Sequence, residues 1–417
     1  MTWPDSSIGG GLGDDRPASA TDRPETVDAL RQAVVDRVKQ GHALYPQGGG
    51  TALDFGGIPR QPGVVIDIRA LSQVIDYPAA DMTITVQAGI TMAALRAVLA
   101  EQRQRVLVDA PHPDRATVGG VFATNTSGPR RFGAGRPRDQ LIGVSFVTSD
   151  GALVKGGGRV VKNVAGYDFP KLLTGSLGTL GIITQLTLKV RPIPEADSLV
   201  WVPFSTADSL GPVLDRLNTS ATRPVAVELL NPTGARLAGE ALGFPVGDWA
   251  IVVGFEDNAA SVAWQVDRLM IELGRTNIVI REGADAAPLW SSLTEFQAAE
   301  VGPVSFVANL RPSTVAPFVR GLDPDRWAVQ THAGNGIVRA HALGASDWQA
   351  LAPEIDRLRA AADRDGGNLI LSRCPTEAKE RLRVWGEPRP DWALAERVKR
   401  ALDPKGVMNP GRFVATI

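Results

Sequence analysis

Residues 331–341, THAGNGIVRAH, hold two of the chain's four histidines. Imidazoles grouped in this way can ligate a divalent ion that polarises a substrate oxygen. In an extended segment positions 339 and 341 share one face, so His341 could in principle act in place of a ligand at 339. His42 and His112 have no ligand-like neighbours and read as structural.

A second chemistry is offered by glycine, of which there are 44. Residues without Cβ let several backbone N–H groups point into one concavity and come close to an anion such as a diphosphate. The first cluster, YPQGGGTALDFGG (45–57), matches neither a P-loop nor a G-x-G-x-x-G turn, so by itself it reads as a tight surface loop somewhat sooner than as an anion cradle. The second, 114–143, mixes small residues with hydroxyl and amide groups and carries Arg130, Arg131, Arg136 and Arg138. It suits a planar ligand with a polar edge, or a flexible basic loop. In the third, Gly175, Gly178 and Gly181 lead directly into a β-rich run. Three such loops within one stretch of chain are hard to explain as ordinary turns.

The remaining composition narrows the classes. At 417 residues the chain is long enough for more than one domain, with 44% hydrophobic and 21% charged residues. A formal charge of -1 without a long basic run argues against nucleic-acid binding. The single cysteine, Cys374, excludes an intrachain disulfide and argues against an iron–sulfur cluster held by this chain. The first residues lack the basic and apolar regions of a signal peptide, and no apolar run is long enough to span a bilayer. The expectation is a cytoplasmic protein that meets the inner membrane only through partners.

Residues 1–24, rich in Gly, Asp, Pro and Ser, read as a disordered leader. Val27, Leu30, Val34, Val35 and Val38 fall at helical spacing. Strands are expected at 64–69, 83–89, 143–157 and 181–190, with a helix over 91–102. RPIPEA (191–196) marks a boundary, so a first domain spans 25–195. Beyond it, over 196–380, strands and helices recur in a similar order in two halves. That weak duplication suggests an antiparallel sheet with helices on one face. The tail, 381–417, is a helix followed by an extended Pro/Gly segment.

The motifs PQGGGTAL, ATVGGVFATN-SG, RVVKNVAGYD with GSLGTLGIIT, and DPKGVMNPGRF together resemble the FAD-linked oxidases of the vanillyl-alcohol-oxidase (PCMH) type. Within that group the chain is most similar to the FAD-binding subunits of bacterial glycolate oxidases. The resemblance implies an α+β fold: an FAD-binding domain of two α+β subdomains, a cap domain, and a tail that returns to the flavin domain. It places Pro46, Gln47, Gly48, Gly49, Gly50, Thr51 and Ala52 at the FAD diphosphate. Thr117, Gly119, Gly120, Ala123, Thr124, Ser127 and Gly128 would line the path to the isoalloxazine, Gly181 and Ile183 the adenine side. Asn409 and Arg412 would close over the flavin ring. Covalent relatives often carry a histidine in the first loop, where this chain has Thr51, so non-covalent FAD is implied.

Relatives that oxidise 2-hydroxy acids often carry H-x-G-D-G-N-x-H in the cap, whose histidines hold a divalent metal. Here His332 and both glycines remain, but Asn335, Ile337 and Arg339 replace Asp, Asn and the second His. His341 would sit ~6–7 Å further along a strand, too far for unchanged geometry with bonds near ~2 Å. No metal is expected. The pattern implies a subunit that oxidises glycolate to glyoxylate together with a catalytic flavoprotein subunit and an iron–sulfur subunit. The alternatives are a stand-alone D-lactate or 2-hydroxy-acid dehydrogenase, and a non-catalytic assembly subunit.

Overall fold

The computed structural model describes residues 11–158, 166–275, 277–344 and 347–417. Most of the RVVKNVAGYD stretch therefore lies outside the described residues. The chain divides into two compact units. The first contains the chain up to Thr126, Arg136–Ile193 and Lys379–Ile417; the second contains Ser127–Gly135 and Pro194–Ala378. Residues 127–135, expected within a continuous first domain, thus belong to the second unit.

In the first unit a parallel sheet is made by β1 (Ala20–Asp22), β2 (Ala43–Gln47) and β3 (Gly63–Asp67), in the order β1-β3-β2. The expected leader is therefore corrected over 11–24. Its residues 20–22 pair with Val64–Ile66, and Leu12 and Ala18 are buried. Next come β4 (Val74–Asp76), β5 (Thr83–Gln87), a short β6 (Gln104–Arg105), β7 (Leu141–Val147), β8 (Leu153–Gly157), β9 (Ile182–Lys189) and a short β10 (Arg191–Pro192). Five of these form an antiparallel sheet in the order β4-β5-β9-β7-β8, while β10 pairs with β6.

One hydrophobic core joins both sheets, with Leu44, Val64 and Ile66 from the first and Ile84, Phe146 and Leu186 from the second. The helix Val27–Lys39 starts where the Thr26 hydroxyl accepts from the Ala29 N–H, and it buries Leu30, Val34 and Val38. Their i, i+4, i+8 spacing forms one stripe, each side chain contributing about 1.5–3 kcal/mol of burial.

The second unit is built on one eight-stranded antiparallel sheet. Its strands are β11 (Ala196–Phe204), β12 (Ala226–Leu230), β13 (Trp249–Asp257), β14 (Val279–Glu282), β15 (Ser305–Asn309), β16 (Trp327–His332), β17 (Ile337–Ala342) and β18 (Asn368–Arg373). The order β14-β11-β13-β12-β16-β17-β15-β18 reads the same from either end once the second four are matched to the first four. Each half is a β-α-β-β-α-β unit, so the recurrence of element order is a structural duplication. The two copies meet where β12 pairs with β16, setting Glu228 opposite His332 and Leu230 opposite Gln330.

The helices Leu210–Asn218, Ala259–Leu273, Val315–Arg320 and Trp348–Arg364 are the crossovers of the two copies. Two further helices, Pro232–Gly239 and Ala287–Glu295, cover the other face over Leu199, Trp201 and Val252. The one-sided helical layer expected from sequence is therefore extended by this second, partial layer. Val200 and Val202 alternate with Leu199 and Trp201 and are fully buried too, as a sheet covered on both sides requires.

Candidate functional site

In the first unit the glycine loops converge. A Cβ on Gly48 would overlap the Thr117 hydroxyl, and one on Gly49 would overlap the Arg115 carbonyl oxygen and lie 2.5 Å from its carbon. The first loop is thus laid directly on residues 115–117, an approach that glycine alone permits. Pro46 touches Gly178, 3.2 Å from where its Cβ would be. The Leu177 N–H donates to the Ala123 carbonyl at 2.9 Å and the Gly175 N–H to that of Phe122 at 2.9 Å, which joins the second and third loops.

The tail comes to the same place. The Asn409 N–H donates to the Leu44 carbonyl at 2.8 Å, and its side-chain amide donates to the Leu177 carbonyl at 2.5 Å. Buried Lys399 donates to the carbonyls of Thr179 at 2.7 Å and Met408 at 2.6 Å while paired with Asp403 at 2.6 Å. Burial pushes the Lys399 ammonium down, and the Asp403 carboxylate opposes that shift.

The N–H groups in this cluster are used unequally. Those at the start of the helix Val118–Ala123 are satisfied within the fold. Val118 donates to Ile90 at 2.8 Å, Gly119 to Ala88 at 2.8 Å, and Gly120 to the Thr117 hydroxyl at 3.3 Å. The backbone N–H groups of Gly48–Ala52 have no acceptor among the described residues. A row of donors without partners on a loop pressed flat by glycines is a cradle for an anion.

The other expected residues are distributed as follows. Thr124 caps its own helix by donating to the Gly120 carbonyl at 2.9 Å. Ile183 sits on β9 opposite Phe146, beside Gly181, whose Cβ would meet the Phe146 ring at 2.7 Å. Ser127 and Gly128 fall in the second unit. Arg412 is buried and bonded to the Asp14 carboxylate at 2.5 Å, the Gly57 carbonyl at 2.9 Å and the Leu12 carbonyl. These bonds tie the tail to the leader and to the first glycine cluster. Lys379 completes a buried triad, 2.5 Å from Asp14. Sequence reasoning missed both Asp14 and Lys379.

In the second unit, polar side chains line the seam between the two copies. Glu228, fully buried, accepts from His332 Nδ1 at 2.8 Å and from the Gln330 amide at 2.6 Å. Arg339 points its Nε–H at His332 Nε2, 3.5 Å away, and donates through Nη2 to the Ser127 carbonyl at 3.2 Å. Arg131 donates to the Ser127 hydroxyl at 3.0 Å. Next to this group, Arg130 pairs with buried Glu256 at 2.6 Å and lies over the Trp290 ring. Burial pushes the Arg339 guanidinium down to about 10, Arg131 adds to the shift and Glu228 opposes it.

Glu228 is another residue the sequence reading passed over. Its signal is a lone carboxylate inside the apolar strand VAVELL, which requires a buried partner. With Nδ1 on Glu228 and Nε2 facing a guanidinium N–H, His332 has both ring nitrogens engaged. Among the described residues no group of three or more His, Cys, Asp or Glu side chains is arranged to hold a metal ion.

His341 stands apart from this cluster, bonded through Nδ1 to the Ser305 hydroxyl at 2.8 Å and packed on Phe296. Burial pushes it from 6.5 down to about 4, and the positive charges of Arg373 and Arg339 push the same way. Folded His341 is neutral at pH 7, whereas the unfolded chain takes up its proton as the pH falls through 6.5. Its contribution is complete above that value and is lost as the pH falls towards the folded value. Between neutrality and about pH 4.5 the wild type should lose about 2–3 kcal/mol more stability than a His341→Gln variant, measured by denaturant unfolding. Equal losses in the two proteins would show that His341 is not held neutral.

Comparison with known proteins decides the family. Residues 18–157 match the FAD binding domain model, and residues 193–313 with 384–413 match the C-terminal domain model of the FAD linked oxidases. Together these cover well over half of the chain. It belongs to the FAD-linked oxidases. FAD is its cofactor, and the chain is an FAD-dependent oxidoreductase.

The chain is 25% identical to glycolate oxidase subunit GlcD of Bacillus subtilis, over 94% of this chain and 88% of that protein. It is 35% identical to glycolate oxidase subunit GlcE of Escherichia coli (strain K12), over 37% of this chain and 44% of that protein. Among solved structures it is similar to an alkyldihydroxyacetonephosphate synthase, with a TM-score of 0.69 and 18% identity over 96% of this chain and 78% of that one. The match to the C-terminal domain of the FAD-linked oxidases skips residues 314–383, the stretch that carries His332, Arg339 and His341. No helix among the described residues is long and apolar enough to cross a membrane.

Proposed function

We propose that this FAD-linked oxidase acts on a small 2-hydroxy acid as the FAD-binding subunit of a glycolate-oxidising complex, beside a catalytic flavoprotein subunit and an iron–sulfur subunit. The observation that carries this reading is Arg339. Its guanidinium occupies the motif position of a second histidine and caps His332 Nε2 at 3.5 Å. In that arrangement the second imidazole of the motif is replaced by a cation that faces His332 Nε2. Two relatives named as glycolate oxidase subunits support the choice of complex, and a single cysteine supports an electron carrier on another chain.

The unpartnered N–H groups of Gly48–Ala52 hold the FAD diphosphate, and Pro46 and Gln47 set the entry to that loop. The packed residues around Thr117, Gly119, Gly120 and Ala123 form the wall beneath it. Asn409 fixes the closing segment, and Arg412 acts through Asp14 and Gly57. Thr51 supplies no nucleophilic imidazole, so the flavin is held without a covalent bond. Bound FAD would supply a two-electron carrier to the complex.

The test is dye reduction by the purified chain with glycolate, alone and with its two partner subunits, after acid precipitation has shown whether FAD is released. Released FAD and a rate at least about tenfold higher in the reconstituted complex are expected. Full turnover by the chain alone would overturn the subunit reading in favour of a stand-alone 2-hydroxy-acid dehydrogenase.

A further inference from the structure

We propose that Arg339, together with Arg131, forms a carboxylate-binding pocket at the seam of the second unit, one that works without a metal ion. The proposal deepens the function given above, since a small 2-hydroxy acid carries the carboxylate that this pocket would take.

Two cations converge on one residue. Arg339 donates to the Ser127 carbonyl at 3.2 Å and Arg131 to its hydroxyl at 3.0 Å. A guanidinium has five N–H donors in a planar fork. Two of those on Arg339 are used within the fold, by the His332 nitrogen and the Ser127 carbonyl, neither of them a carboxylate. Glu228, the carboxylate nearest in the network, is already bound by His332 and Gln330. Arg339 makes no ion pair with any described residue.

The site is nevertheless built. Arg339 is held in the sheet between Gln330 on β16 and Val307 on β15, which fixes its backbone, while its bonds to His332 and Ser127 orient the guanidinium. It keeps part of its surface accessible, while Glu228, Gln330 and His332 beneath it are 0%, 1% and 2% exposed. A half-buried cation with spare donors, next to a second cation, is poorly compensated by its own fold. An anion beside Arg339 would supply the counter-charge that Arg339 lacks among the described residues. The fork geometry selects a planar, bidentate anion, which a carboxylate is. A divalent metal in the same place would face a guanidinium and would find His332 Nε2 already capped.

The test is titration calorimetry of the full FAD-loaded chain with glycolate, oxalate and inorganic phosphate, each with and without EDTA. Saturable binding of glycolate and oxalate is expected, unchanged by EDTA and tighter than that of phosphate. Arg339→Gln should weaken oxalate binding at least about tenfold and Arg131→Gln about threefold, the fork residue counting for more. Arg339→Lys keeps the charge and a donor for His332, so it should keep the wild-type melting temperature and still lose oxalate affinity. Absence of carboxylate binding, abolition of binding by EDTA, preference for phosphate, or wild-type affinity in the Arg339 variants would each overturn the pocket. Failure of the complex to oxidise glycolate, with this binding intact, would overturn the proposed function and leave the pocket standing.

Discussion

Replacing Gly49 by alanine is expected to yield a colourless protein. The new methyl group would overlap the Arg115 carbonyl oxygen, and the Arg115 carbonyl carbon lies 2.5 Å from it. Both are backbone atoms held by neighbouring bonds, the Arg115 and Ala116 N–H groups donating to the His112 carbonyl at 2.9 and 2.7 Å. The loop at 48–52 must therefore lift off its bed. Overpacking of this kind costs about 1–3 kcal/mol or more. If that strain falls on the bound form, FAD affinity drops about 10–100-fold. Flavin absorbance per protein, measured after gel filtration, reads the effect. Gly211→Ala is the control: nothing lies within 4 Å of its Cβ position at the start of the helix Leu210–Asn218. That variant should keep its FAD and gain up to about 1 kcal/mol of stability. Full FAD content in Gly49→Ala would remove the diphosphate cradle from this loop.

The two glycine variants also show what can be read from sequence. A run of three glycines states that something comes close to the backbone, but not what. At Gly49 it is the protein's own residue 115, and the ligand cradle is the other side of the same loop. The duplication in the second unit was visible as a repeated order of strands and helices, because hydrophobic periodicity is local. The pairing of β12 with β16 that sets Glu228 against His332 joins residues 104 apart in sequence, and no local signal specifies it. Residues 127–135 were misassigned for the same reason. Arg130 and Phe132 sit in a basic, glycine-rich stretch. Their partners are Glu256 and Trp290 for the first and Gly334 for the second, far along the chain. Arg339 was legible as a departure from a motif, while its bonds to Ser127 and His332 were not.

The leader is the clearest failure of local composition, and it carries the second large effect. Residues 11–24 have few apolar side chains, which is the usual mark of disorder. Yet Asp14 is 6% exposed and binds two buried cations, Lys379 at 2.5 Å and Arg412 at 2.5 Å. Through them the leader is fastened to the tail, and Lys379 also donates to the Asp54 carbonyl at 2.5 Å in the first glycine cluster. Asp14→Ala would leave an ammonium and a guanidinium buried without their carboxylate. Removing one partner of a buried ion pair costs about 3–5 kcal/mol, because the remaining charges are uncompensated. At about 2–4 °C per kcal/mol for a unit of this size, the melting temperature should fall by about 10 °C. An exposed ion pair would give less than about 1 kcal/mol, and its effect would fade in high salt. The loss should therefore be as large in molar salt as in dilute buffer. A shift of about 1 °C, or one that salt erases, would mean that the leader lies loosely on the surface and that the triad holds nothing in place.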